Sequence, residues 1–243
     1  MHQYNPPAAS SFSDFQEIDV ITSRDCTLRC TYCYLQKHPD LDYSIPKIVE
    51  GLDRVLQDLE TKRKDSENNP KVNVTSNVAY KGIVLGFYPE PWANIPRTDK
   101  LIRECLKVVY KYPYYAERFM LSLGTNGVRL DQVIPVTEHL LHNTSIAVTI
   151  DGVKEAHDKY RLFANGAPSW DIVKRNILKY QQKYNIYRTK ITLGPDTLKY
   201  VYDDMVFCFE ELHFNDIHMN VVFEDLWGTF EQKQESLRIY DEQ

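Results

Sequence analysis

Apolar and polar positions change period along this chain, and the changes mark out alternating strands and helices. Gln16 to Ile21 is a short run ending in Ile18, Val20 and Ile21, which predicts a first strand. From Ser44 to Thr61 the apolar residues Ile48, Leu52, Val55, Leu56 and Leu59 recur at helical spacing, with Ser44 as cap and Pro46 in the first turn. Lys62 to Asn77 is polar, charged and broken by Pro70, which predicts a flexible surface insertion. Lys81 to Phe87 is a continuous apolar run, the pattern of a strand buried on both faces. Thr98 to Tyr110 is amphipathic through Leu101, Ile102, Cys105, Val108 and Val109. A third strand, Arg118 to Leu123, ends at Gly124-Thr125-Asn126-Gly127. Leu130 to Leu141 predicts a helix kinked or started at Pro135.

Ser145 to Ile150 is a fourth strand, ended by Asp151-Gly152. Ser169 to Tyr184 is a helix with Ser169 as N-cap and Trp170, Val173, Ile177 and Tyr180 as its inner stripe. Thr189 to Leu193 is a fifth strand, Leu198 to Leu212 a helix, Asp216 to Phe223 a sixth strand, and Phe230 to Gln243 a last helix. Residues 1–13, rich in proline, serine and alanine, read as a mobile tail.

Six strands alternating with helices imply an α/β fold with parallel strands and right-handed crossovers. Only nine glycines occur, so their positions carry information. Gly86, Gly124, Gly127, Gly152 and Gly194 all fall at or just past the C-terminal ends of predicted strands. A ligand site of a parallel sheet lies at that edge, where glycine lets the backbone come close.

Composition narrows the picture. A chain of 243 residues with 43% hydrophobic and 26% charged residues is enough for one large domain. A net charge of −5 offers no footprint for nucleic acid or an anionic membrane surface. No apolar run approaches the roughly 18 residues of a membrane span, and the N-terminus lacks the basic and apolar regions of a signal peptide. Five cysteines, three of them clustered, point to a reducing cytoplasm rather than a disulfide framework. Cys105 and Cys208 lie in helix-like patterns as buried small hydrophobes.

The other three are Cys26, Cys30 and Cys33, in a loop leaving the first predicted strand. Their spacing lets three thiolates converge on one soft metal centre. A structural zinc site is closed by four ligands, and an ordinary four-iron cluster also takes four cysteines. Three thiolates on a four-iron cube leave one iron open to a small molecule. The alternatives are a zinc site completed by His38, or chance spacing in a reduced protein.

The C-x3-C-x2-C arrangement, with Tyr32 before the third cysteine, resembles the radical S-adenosylmethionine (radical SAM) superfamily. Four further segments carry the resemblance. Leu85-Gly86-Phe87-Tyr88-Pro89-Glu90-Pro91-Trp92 is similar to the family's Gly-Gly-Glu-Pro segment, with Tyr88 and Pro89 in place of the two glycines. Gly124-Thr125-Asn126-Gly127 is similar to its Thr-Asn-Gly. Thr149-Ile150-Asp151-Gly152, followed by His157-Asp158 and Arg161, resembles the peptide-modifying branch, the relatives of anaerobic sulfatase-maturating enzymes. The stretches from Leu193 to Tyr200 and from Ile217 to Asp225 resemble ribosomal-peptide maturases of that branch.

The resemblance implies a partial (β/α)6 TIM-type barrel over residues 14–243, with the flexible insertion at about 62–77. Many peptide-modifying relatives carry a cysteine-rich C-terminal domain; the sequence departs from them in having no cysteine after Cys208, so no auxiliary cluster domain is expected within the chain. The resemblance also implies that Cys26, Cys30 and Cys33 hold a [4Fe-4S] cluster. Tyr32 and Leu193 then lie by the adenine of S-adenosylmethionine, and Asn126 by its ribose. Glu90 and the backbone at Tyr88 meet the ammonium group, and Thr149 and Arg161 meet the methionine carboxylate. His157 and Asp158 are assigned structural roles, and no residue is assigned as the substrate's base.

The activity implied is reductive cleavage of S-adenosylmethionine to a 5′-deoxyadenosyl radical, which abstracts hydrogen from a peptide or protein side chain. A cytosolic electron donor of flavodoxin or ferredoxin type is then required, and neither nucleic acid nor membrane is a partner. The alternatives are a glycyl-radical activase, an enzyme acting on a small molecule, or a non-catalytic module that binds cluster or cofactor for a partner.

Overall fold

The computed structural model describes residues 15–35, 43–68, 82–137, 143–222 and 226–242. Six strands form one sheet: β1 (Phe15–Ile21), β2 (Gly82–Tyr88), β3 (Phe119–Thr125), β4 (Thr144–Thr149), β5 (Arg188–Leu193) and β6 (Asp216–Val221). They pair in chain order, and every pair is parallel. Eight helices accompany them: α1 (Ile45–Asn68), α2 (Ile95–Val109), α3 (Pro113–Ala116), α4 (Leu130–Thr137), α5 (Lys154–Tyr160), α6 (Trp170–Tyr184), α7 (Val201–Val206) and α8 (Phe230–Asp241). The sheet curls into a half-barrel: the parallel α/β fold expected from the strand–helix alternation is the partial TIM-type barrel that the family resemblance implies.

Alternation along the strands separates the two faces. Ile83, Leu85, Phe87, Leu121, Leu123, Ile146, Val148 and Ile191 are buried and pack with Leu52 and Leu56 of α1, Leu101 and Cys105 of α2, and Val173 and Ile177 of α6. This helix-covered face holds the core, and β2 is buried along nearly all its length, as its unbroken apolar run predicts. Intervening residues such as Ser122, Ala147 and Thr149 are half-buried on the concave side. Burial also pushes the thiols of Cys105 and Cys208 up to about 12, so both are inert packing groups.

Several boundaries differ from the sequence pattern for identifiable reasons. Helix α1 continues through Lys62 to Asn68, where a flexible segment was expected. Arg63 donates to Glu60 at 2.8 and 2.9 Å and its guanidinium lies over the Tyr114 ring, so the charged turn is anchored rather than free. The remainder of the expected insertion, residues 69–77, lies outside the described residues, as does the N-terminal tail.

The single helix expected from Leu198 to Leu212 is three pieces: a 3₁₀ turn at Leu198–Tyr200, then α7, then a π turn at Phe207–Glu211. Ser169 precedes α6 as predicted but does not cap it, because its hydroxyl faces inward. The cap comes from Asp158, whose Oδ1 accepts from the backbone N–H of Ser169 (3.0 Å) and Trp170 (2.9 Å).

Packing of this kind sets the cost of core truncation. Leu121 is fully buried in the central strand β3, and Leu121→Ala is expected to cost about 2–5 kcal/mol. Urea denaturation followed by circular dichroism measures it, and a loss below about 1 kcal/mol would mean that β3 is not central to the core.

Candidate functional site

Cys26, Cys30, Tyr32, Cys33, Tyr88, Glu90, Asn126, Thr149, Arg161 and Leu193 all lie at or beyond the C-terminal ends of their strands. The cysteine loop leaves β1 and is fastened to the segment after α5. The Arg29 N–H donates to the Leu162 carbonyl (2.7 Å) and the Thr31 N–H to the Tyr160 carbonyl (3.0 Å), and Leu28 bridges Phe163. Cys26, Cys30 and Cys33 are unbridged and partly exposed. Donors face the first sulfur: the Leu28 N–H and the Asn126 side-chain amide each lie 3.5 Å from Cys26 Sγ. Among the described residues no three cysteine, histidine or acidic side chains converge on a single-ion position. The thiolates of a four-iron cube bind separate irons, so they need not meet at one point. The zinc alternative depended on His38, which lies outside the described residues.

Behind the loop is a buried chain of charge and hydrogen bonds. Arg161 Nη1 donates to the Tyr32 hydroxyl at 2.6 Å, and that hydroxyl donates to Asp151 Oδ2 at 2.6 Å. The Arg161–Asp151 separation is 3.9 Å, and both side chains are almost wholly buried. Burial acts first on each of these groups. It holds Asp151 above the usual carboxylate range against the pull of Arg161, and it raises the Tyr32 phenol well above its ordinary value. Burial opposes the charge on Arg161, but Tyr32, Cys30 and Asp151 outweigh it and keep the guanidinium protonated. Arg161 Nε is buried and has no hydrogen-bond partner among the described residues.

A second chain supports the first. The Asp151 N–H donates to His157 Nδ1 (3.1 Å), so Nε2 carries the proton and donates to Ser169 Oγ (2.9 Å). Ser169 Oγ in turn donates to the Arg161 carbonyl at 2.7 Å. Burial, followed by the nearby Arg161, lowers the pKa of His157 well below its ordinary value, so the imidazole is neutral and structural.

Two carboxylates knit the strand-end loops together. Glu90 accepts from the backbone N–H of Asn126 (2.7 Å), from Thr125 Oγ1 (3.0 Å) and from the Trp92 N–H (3.3 Å). It is buried, which raises its pKa against those bonds. Its carboxylate therefore joins the β2 loop to the β3 loop. Asp204 of α7 accepts from the Val153 N–H at 2.8 Å and sits beneath Gly152. Gly152 has φ +73° and a Cβ there would lie 1.9 Å from Asp204 Oδ1, so only glycine fits.

The remaining predicted residues are placed as follows. The Asn126 amide also donates to Thr27 Oγ1 at 2.8 Å, so it bridges the third strand and the cysteine loop. Thr149 stands on the concave side at the end of β4, at the same edge as Arg161 but not joined to it. The Tyr88 carbonyl accepts from the Thr22 N–H (2.8 Å) and hydroxyl (3.1 Å). The Leu193 side chain packs in the main core, and its carbonyl accepts from the Val222 N–H at 2.9 Å. Tyr32 forms a separate small cluster with Tyr160 and Val222, with Cys30 against it, and the two tyrosine rings meet edge to face at 5.6 Å.

Asp151, Tyr160 and Asp204 were not assigned by sequence reasoning, and Ser169 was read only as a helix cap. The first two stand inside a quoted motif, but nothing in the sequence distinguishes Asp204 from an ordinary helix acid. Beside Tyr160 opens a cleft of about 370 Å³ lined also by Pro195, Asp196, Leu226, Trp227 and Ser236.

A parallel half-barrel with a three-thiolate loop and a buried arginine at its C-terminal edge defines a cofactor-binding α/β barrel. Residues 20–208 match the family model described as Radical SAM superfamily. The chain belongs to the radical SAM superfamily, whose members use a [4Fe-4S] cluster and S-adenosylmethionine.

The chain is 29% identical over 173 residues to a cysteine-type anaerobic sulfatase-maturating enzyme of Clostridium novyi (strain NT), covering 68% of this chain and 40% of that protein. The structure of native anSMEcpe with bound AdoMet and Cp18Cys peptide superposes with a TM-score of 0.65 at 19% identity, over 93% of this chain and 58% of that one. Native anSMEcpe with bound AdoMet gives 0.65 at 18% identity, over 93% and 60%. The chain thus spans 40% of the curated relative it matches and 58–60% of these two solved ones. Among the described residues no helix is long and apolar enough to cross a membrane.

Asp204 has a measurable signature. Burial raises its carboxyl to about 7, whereas in the unfolded chain it titrates near about 4. The folded state binds this proton more tightly, so the contribution to stability is full below about pH 4 and is lost as pH rises through about 7. Asp204→Asn keeps an acceptor for the Val153 N–H. Its stability relative to wild type is expected to rise from pH 4 to pH 8 by roughly 1–4 kcal/mol. Urea melts across that range measure the difference, and a pH-independent difference would show that Asp204 is not ionising in a buried site.

Proposed function

We propose that the protein is a radical SAM enzyme that modifies a peptide or protein side chain. The observation that carries this reading is Arg161: a charged, fully buried guanidinium with an unpartnered Nε, tied through Tyr32 to the cysteine loop. A buried donor without a partner is costly unless a ligand completes it. The methionine carboxylate of S-adenosylmethionine is a planar acceptor suited to that fork. Cys26, Cys30 and Cys33 would hold the cluster, with the amide of Asn126 and the N–H of Leu28 directed at the Cys26 sulfur. When bound, the cluster and S-adenosylmethionine supply a 5′-deoxyadenosyl radical.

The chain's own residues bind and orient. Asn126 lies between the third-strand loop and the cysteine loop, where a ribose would sit. Tyr32, Tyr160 and Val222 form an apolar wall beside the cleft at Tyr160, suited to a purine. Thr149 adds a hydroxyl on the same sheet edge. The backbone at Tyr88 and Pro89 lies toward the ammonium end, with the Tyr88 carbonyl already engaged by Thr22. A peptide substrate is supported by the likeness to the cysteine-type sulfatase-maturating enzyme and to the peptide-bound solved structure. An electron donor of flavodoxin or ferredoxin type, in a cytoplasmic setting, completes the reading.

Two experiments test it. Anaerobic reconstitution with iron and sulfide is expected to give a brown protein with about four irons, and replacing all three cysteines with alanine should abolish the colour. One bound zinc and no iron after the same treatment would refute the cluster. Dithionite and S-adenosylmethionine should then yield 5′-deoxyadenosine, and a cluster-loaded protein that makes none would be a binding module instead.

Titration of S-adenosylmethionine into cluster-loaded protein should show Arg161→Ala binding about tenfold to a hundredfold more weakly, given charge-assisted bonds of roughly 1.5–3 kcal/mol. Arg161→Lys, which keeps the charge and most of the volume, should recover only part of the loss. Equal affinities in all three would remove Arg161 from the cofactor site.

A further inference from the structure

The concave face of the half-barrel carries charged side chains that cofactor binding leaves unused. Strand register shows which of them stand side by side. Asp19 is level with Gly86, Ser122 and Ser145, while Thr149 is level with Lys190 and His218. The opposite side of these strands is sealed by the helices, so both sets face the open barrel. Glu17 and Asp19 on β1 are exposed, and among the described residues neither has a cationic partner. Glu17 only accepts the Tyr88 hydroxyl at 3.3 Å. The Tyr88 ring lies over β2 and β3, where a Cβ on Gly86 would come within 2.5 Å of it and one on Gly124 within 3.7 Å. It presents an aromatic surface beside the two acids, a setting that favours a cation.

The other side of the face has the opposite sign. Lys190 is exposed and makes no ion pair among the described residues. With the Asn220 amide turned so that its oxygen faces the ammonium, that oxygen accepts from Lys190 Nζ at 2.9 Å and its nitrogen donates to the Met219 carbonyl at 3.1 Å. Of the acids nearby, Asp216 is shared by Arg188 (2.6 Å) and His218 (2.9 Å), and Asp151, which feels the Lys190 charge, is buried against Tyr32 and Arg161. One edge of the concave face is therefore anionic and the other cationic.

β1 and β5 are separated by steps of about 4.8 Å per strand, roughly 19 Å along the curved sheet and less across its mouth. By register Lys190 is level with Thr149 and Asp19 with Ser145, so the two also differ by four residues along the strands, about 13 Å. An extended chain covers about 3.3 Å per residue, so a diagonal of roughly 20–23 Å takes about six or seven residues. We propose that this face selects an extended peptide segment with a basic side chain at Glu17, Asp19 and Tyr88 and, about six or seven residues away, an acidic side chain at Lys190. The proposal rests on the peptide-modifying reading above and specifies the chemistry of its substrate.

The test uses cluster-loaded protein with S-adenosylmethionine and fluorescein-labelled synthetic octapeptides of alanine, glycine and serine. Lys and Glu are placed six or seven positions apart in both chain directions, with Gln replacing either or both in control peptides. Fluorescence anisotropy is expected to show the Lys/Glu peptide of one direction binding about tenfold more tightly than the double-Gln control. Each charge should be worth about three- to fivefold, and the preference should shrink at high salt. Asp19→Lys should remove the preference for Lys, and Lys190→Glu the preference for Glu. Both are exposed positions, where such changes leave the core intact.

Affinities within twofold across the peptides, no measurable binding, or variants that keep the wild-type ranking would overturn the proposal. Formation of 5′-deoxyadenosine by the same wild-type preparation is scored separately. Product with a flat peptide ranking refutes only the selectivity, whereas no product refutes the enzyme reading and leaves the ranking to decide the face.

Discussion

A phenol held between a guanidinium and a carboxylate joins three segments that are distant in the chain. Tyr32 belongs to the cysteine loop, Asp151 to the turn after β4, and Arg161 to the C-terminal end of α5. Removing two charges from water costs several kcal/mol per ion, and the cost is recovered only when each has well-placed partners. Here Asp151 also accepts from the Thr192 N–H at 2.9 Å, which extends the network to β5. The loop that carries the three thiolates is thus positioned by a buried polar network rather than by packing alone. Loss of Arg161 or Asp151 leaves its partner's charge uncompensated at the mouth of the barrel, and loss of Tyr32 removes the group that joins them.

The same economy of buried acids recurs around the rim. Glu90 satisfies backbone N–H groups of the β2 and β3 loops, Asp158 caps α6, and Asp204 holds the turn at Gly152. Strand-end loops have few apolar groups to pack, so carboxylates that accept from backbone N–H groups give them a defined shape. The helix-covered side of the sheet supplies the rigidity against which these loops are fixed. Among the described residues, small and charged side chains line the concave side.

Much of this was legible in the sequence because it depends on local order. Six strands, their alternation with helices and the buried run of β2 follow from periodicity. Glycines collect at the strand ends because the backbone must turn there. The three-cysteine spacing and the segments around Glu90, Asn126 and Asp151 are contiguous, so they could be read without knowing what they touch. Helix α1 ran past its expected end because Arg63 finds Glu60 and the Tyr114 ring, and the latter contact is not local.

Roles that depend on convergence were decided only by the tertiary structure. Ser169 has the residue type and position of a cap, yet its hydroxyl serves Arg161 while Asp158 caps the helix. Glu90 has the look of a ligand-binding acid, yet three protein donors occupy its carboxylate. Leu193 ends β5 at the site's edge, yet its side chain packs in the core. Asp204 carries no signal in the chain until α7 brings it under Gly152. Residue type and spacing determine what a segment can form, because propensity and period act over a few residues. Which donor meets which acceptor is set by the curl of the sheet, which brings together residues more than a hundred positions apart, such as Tyr32 and Arg161.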